Sequence, residues 1–174
     1  KVLILTFLVI TSVHMFAQEN SQQLYLLMEF MSVDDENDSD YWEVEQFWTE
    51  IHKQRIADKD IIGWDLWSLK PGGTKQGSQY MTTTLYSSLS AMLQGMPPGK
   101  FQEYIKKAHA SSSQKEIDEM MAKTVTSRDM AHMVYCKEVN TTKAEYKMKV
   151  GTVMAMDVMK QLDETYEKME DKIF

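Results

Sequence analysis

The sequence predicts an α+β domain in which helices cover one face of an antiparallel sheet. Three observations predict it. Short apolar or alternating runs suit strands, a long run between the first two strands carries apolar residues at helical spacing, and the order is strand, helix, strand, strand, helices, strand. With 174 residues, 43% of them hydrophobic and 26% charged, the chain has the size and composition of one globular core.

The chain opens with Lys1 and the apolar run of residues 2–10, VLILTFLVI, and turns polar from Gln18. That run is shorter than the roughly 20 residues of a membrane-spanning helix and matches the core of a secretory leader. Residues 1–17 are therefore expected to be a signal peptide cut after Ala17, placing the mature chain in the periplasm or outside the cell. No later run is long and apolar enough to span a bilayer.

Leu24 to Val33 forms an apolar run without Gly or Pro, the first strand. The acidic stretch Asp34–Asp40 is a solvated loop whose end caps a helix from Tyr41 to about Asp58. In that helix Tyr41, Val44, Trp48, Ile51 and Arg55 share a stripe, with Phe47 beside it. Ile61–Leu69 is rich in aromatic and β-branched residues and ends at Pro71-Gly72-Gly73, giving a second strand and a turn. Gln79–Tyr86 returns as the third strand. Leu89–Leu93 starts a helix that Pro97-Pro98-Gly99 interrupts. Phe101, Tyr104, Ile105 and Ala108 resume it, and a further helix follows Ser111–Ser113 through Ile117, Met120 and Met121. Met130–Cys136 is the fourth strand. This is the ferredoxin-like βαββαβ order, expected over residues 18–138. Residues 139–174 are expected to add a strand and a helix, either as an extension or as the start of a second repeat, because Met156-Asp157-Val158-Met159 echoes Met28-Glu29-Phe30-Met31, and Tyr166, Glu170 and Ile173 repeat the spacing of Tyr41, Glu45 and Trp48.

A net charge of -7 and the lack of any Lys/Arg block exclude nucleic acid as a partner. Cys136 is the only cysteine, so an intrachain disulfide and a C-x-x-C zinc or redox site are both excluded. No H-x-x-x-H or H-E-x-x-H spacing indicates a metal site, and no G-x-G-x-x-G or Walker sequence occurs.

Met28-Glu29-Phe30-Met31, Tyr41-Trp42-Glu43-Val44-Glu45, Trp48-Thr49-Glu50-Ile51-His52 and Ile61 to Trp67, in this order of elements, resemble the dimeric α+β barrel superfamily. That superfamily includes antibiotic-biosynthesis-monooxygenase-like and NIPSNAP-like domains, and the likeness covers residues 24–138. The leader resembles those of secreted Bacteroidetes proteins. The resemblance implies a homodimer in which two sheets face each other around a central barrel. Its members include cofactor-independent oxygenases, haem-handling enzymes and proteins without assigned activity, so fold alone selects no reaction.

His52 is the candidate catalytic residue, one helical turn after Trp48 and three residues before Arg55. An imidazole beside indoles suits a base or a haem ligand, and equally a helix-edge histidine with a structural hydrogen bond. Trp48, Arg55, Trp64 and Trp67 are candidate walls of a pocket for a small apolar or aromatic ligand. Glu29 and Asp65 join them, because a carboxylate on an inward strand face must be paired or line a wet cavity. On the second strand, alternation puts Asp65 and Trp67 on one face and Trp64 and Leu66 on the other. His132, with Met133 and Tyr135, forms a second candidate wall, and His109 is expected to be exposed. Three readings stay open: a ligand-binding or structural module without a cofactor, a cofactor-independent oxygenase or haem-processing enzyme using His52, and a protein-interaction domain with no cavity.

Overall fold

A computed structural model describes residues 23–70, 77–141, 149–157 and 165. The elements run β1 (Tyr25–Ser32), a 3-10 turn (Asp35–Asn37), α1 (Asp38–Ala57), β2 (Gly63–Ser68), β3 (Tyr80–Tyr86), α2 (Leu89–Gln94), α3 (Lys100–Ala108), α4 (Gln114–Thr126) and β4 (Asp129–Lys137). The strands form one antiparallel sheet in the order β2-β3-β1-β4, compatible with the ferredoxin-like arrangement.

α1 begins at Asp38, three residues before the expected Tyr41. Asp38 and Asp40 lie in its first turn, where their charge suits the unpaired amides of a helix start. Its other end is closed by a Schellman turn. The Lys59 amide donates to the Ile56 carbonyl (3.0 Å) and the Asp60 amide to the Arg55 carbonyl (2.9 Å), with Lys59 in the left-handed region at φ 60°. This turn brings the Asp60 side chain back beside Arg55. α4 starts at a capping box in which the Ser113 hydroxyl accepts from the Glu116 amide, and the Glu116 carboxylate accepts from the Ser113 amide. These contacts hold the Glu116 carboxyl below its ordinary range. α2 ends at Gly95, whose φ of 62° and ψ of -148° form a conformation that only glycine adopts freely.

The helices gather on one face of the sheet. Tyr41 of α1 packs with Met31, Val33, Leu66 and Tyr80, and Met92 of α2 packs in the group that holds Ile61, Tyr86, Leu27 and Trp64. On its far side α1 presents Phe47 and Ile51 to Tyr104 and Ile105 of α3 and Ile117 of α4. The opposite sheet face carries the row Trp67, Met81, Phe30, His132, given by the register Trp67↔Met81↔Phe30↔His132. Phe30 and His132 stack with centroids 4.2 Å apart. Met81 and Thr83 on this face are buried, whereas β4 is exposed along nearly its whole length.

The leader at residues 1–17 and the turn at Pro71-Gly72-Gly73 lie outside the described residues. Of the strand and helix expected within 139–174, residues 152–157 carry no regular structure, Thr165 is helical, and the rest lies outside the described residues. No described helix is long and apolar enough to cross a membrane.

Holding Lys59 in the left-handed region costs about 1 kcal/mol or more, which glycine avoids at a smaller entropic cost in the unfolded chain. Lys59→Gly is expected to stabilise the fold by roughly 0.5–1 kcal/mol. Urea denaturation measures this, and a destabilised variant would mean that Lys59 makes a compensating contact.

Candidate functional site

The inward stripe of α1 mixes aromatic and charged residues. Tyr41, Glu45, Trp48, His52 and Arg55 follow one another at spacings of three or four residues and so share a face. From Glu45 onward α1 does not close onto the sheet. A cavity of about 270 Å³ opens between them, floored by Leu27 and Glu29 of β1, Trp64 of β2, and Thr82 and Thr84 of β3. The sheet register explains the floor, since Trp64 lies opposite Thr84, Thr84 opposite Leu27, and Thr82 opposite both Leu66 and Glu29. Gly95 and Met96 of the α2–α3 loop complete the rim, and Arg128 enters just ahead of β4.

Two indoles shape the walls. The Trp48 Nε1–H donates to Thr124 Oγ1 (3.2 Å), and that hydroxyl donates to the Met120 carbonyl (2.9 Å), which fixes the ring to α4. Trp48 also stacks on Phe101 with centroids 5.7 Å apart. Trp64 stacks on His52 with centroids 4.8 Å apart and planes 13° from parallel. Trp48 is thus tied to α4, and Trp64 is stacked against a side chain of α1.

The polar groups divide between two ends. At one end the buried Glu45 carboxylate accepts from Arg128 Nη1, and Glu29 accepts from the Thr82 hydroxyl (3.3 Å). Burial pushes the Glu45 carboxyl up, against the pull of Arg128. The Tyr41 hydroxyl lies in the fields of Glu45 and Arg128 but makes no hydrogen bond of sound geometry, and burial raises it far above the ordinary phenol range.

At the other end Arg55, 4% exposed, donates through Nε to Asp60 Oδ2 (2.7 Å). Its Nη1 lies 3.4 Å from His52 Nδ1, and its Nη2 is buried with no partner. A guanidinium can only donate, so Nδ1 is the acceptor and the neutral ring carries its proton on Nε2. Burial, and then the charges of Arg55 and Arg128, lower the His52 pKa to about 3.

Five of the seven residues singled out from the sequence, Glu29, Trp48, His52, Arg55 and Trp64, line this cavity. Asp65 and Trp67 do not. They lie on the opposite sheet face, where Asp65 opposes Thr83 and burial raises its carboxyl, and where Trp67 Nε1 and Thr83 Oγ1 are buried without partners. The strand alternation itself separates them from Trp64. His132 is also on that face, against Phe30, while Met133 points to the helix side. His109 is half-buried rather than exposed, stacked on Phe47 with Nε2 3.1 Å from the Phe47 carbonyl. Glu45 and Arg128 were not foreseen. Glu45 had a signal, since it falls on the Tyr41–Trp48–His52 stripe, whereas Arg128 had none.

A haem liganded by His52 does not fit these residues. A ligating imidazole offers one nitrogen to the metal and donates from the other to a carboxylate, carbonyl or water, and here Nδ1 faces a cation that cannot accept. No group of three or more His, Cys, Asp or Glu side chains able to hold a metal ion occurs among the described residues.

No family model matches the chain, and no curated protein sequence does. Among solved structures, SnoaB, a cofactor-independent oxygenase from Streptomyces nogalater crystallised as a point mutant, is similar over 72% of this chain and 100% of its own, at 10% identity and a TM-score of 0.30. A likeness of that size carries nothing over to the cavity.

The His52 shift predicts a pH effect. Its folded pKa lies below the unfolded value of about 6.5, so stability from the neutral ring is complete above about pH 6.5 and is lost as pH falls toward 3. Glu45, shifted upward, acts in the opposite sense as pH rises through the carboxylate range, so the two effects overlap. Comparison with His52→Gln isolates the histidine. The stability difference between wild type and variant is expected to change by roughly 2 kcal/mol between pH 7 and 4.5, in the variant's favour at low pH. A pH-independent difference in urea titrations would mean that the imidazole is not held neutral.

Proposed function

We propose that this protein is an exported binding protein that holds a small planar, apolar or aromatic molecule between α1 and the sheet. One observation carries the reading: a cavity walled by two indoles is lined by a buried arginine that has an unpartnered N–H. A face selected for stability alone would place hydrocarbon there, because a buried donor without a partner costs about 1–3 kcal/mol. The volume lies just below the range of about 300–1,000 Å³ usual for drug-sized ligands, which suits one or two fused rings.

The oxygenase alternative asks His52 to act as a base. A ring held neutral down to about pH 3 is a weak base at neutral pH, where a catalytic base works best with a pKa near the working pH. His52 suits a hydrogen-bond donor better. A domain with no cavity leaves the space between α1 and the sheet unexplained.

The same reading has two copies meeting through the sheet face opposite the helices, which carries the row Trp67, Met81, Phe30 and His132. Export rests on the basic, apolar and small residues of the leader.

Calorimetric titration with 2-naphthol tests the ligand reading. Binding is expected, with Trp64→Ala weakening it at least tenfold, and absence of binding at millimolar concentration sinks the proposal. Native and intact-mass spectrometry of the chain expressed with its leader is expected to find a dimer of a polypeptide starting at Gln18. A monomer rejects the paired sheets, and an uncut leader rejects export.

A further inference from the structure

The two ends of the cavity differ in what they offer a ligand. Around Glu45, Arg128 and Glu29 the charged groups are taken up by one another and by Thr82. The other end offers donors from Arg55 and His52. Arg55 Nη2 is buried without a partner, and the Arg55–His52 contact leaves the histidine proton on Nε2. The Trp48 indole N–H, already given to Thr124, is not free to join them.

From this geometry we infer that the Arg55–His52 end of the cavity receives the carboxylate of a small aromatic acid whose ring lies against Trp48 and Trp64. The inference rests on the ligand-site reading above and narrows its substrate class. A carboxylate has two acceptor oxygens for the two donors, and hydrogen bonds that join an ionised donor to an ionised acceptor are about twice as strong as neutral ones. Asp60 holds Arg55 through Nε, His52 lies against Nη1, and Nη2 is the nitrogen left without a partner. Glu29 at the far end disfavours a second anionic group, so the acid is a monocarboxylate.

The experiment compares 2-naphthoate, 2-naphthamide and 2-naphthol on the purified, processed protein by calorimetry at pH 7. The naphthoate is expected to bind at least tenfold tighter than the amide, and Arg55→Met is expected to abolish that preference while the melting curve confirms a folded variant. Because the acid and amide are compared on unaltered protein, the test stands even if the variant does not fold. Equal affinity for acid and amide, with 2-naphthol still bound, overturns the carboxylate inference and leaves the ligand site standing. Binding of none of the three overturns both.

Discussion

Arg55 sits almost fully buried where α1 ends above the sheet, and a guanidinium there must be held by something other than water. Asp60 does this through a 2.7 Å contact, and it reaches Arg55 because the chain reverses through Lys59 immediately after the helix. Backbone geometry, ion pair and cavity are thus one construction. The turn places the carboxylate, the carboxylate fixes the guanidinium edge, and the guanidinium fixes the tautomer of His52. Removing one partner from such a buried pair strands a charge, which generally costs about 3–5 kcal/mol.

Most of the fold was legible because strands and helices here obey their periods. The alternation in Gly63–Ser68 and the stripe from Tyr41 to Arg55 each reappear in the structure, and Ser113 starts α4 as a capping residue should. The first turn of α1 reads as loop in the sequence because Asp38 and Asp40 are equally at home in solvent and at a helix start. The site was legible where its residues share one element. Trp48, His52 and Arg55 follow from a single helix face. Arg128 lies 83 residues from Glu45, and no local pattern announces a pairing that only the docking of β4 beside β1 creates.

The pleat of β2 sends Asp65 and Trp67 to one side and Trp64 to the other, as the alternation in the sequence implies, so one strand cannot bring all three to one cavity. The sheet therefore carries two chemically separate surfaces. The helix side holds a cavity lined by charged and aromatic side chains, and the other side holds an aromatic row around the buried Met81.

Gly95 has a consequence for how this cavity could diversify. Nothing lies within 4 Å of where its Cβ would stand, so space does not forbid a larger residue there; the backbone conformation does. Descendants of this sequence can therefore reshape the rim through Met96, whose flexible side chain tolerates exchange, far more readily than through its neighbour. Divergence in ligand preference would be recorded at residue 96 while residue 95 stays glycine.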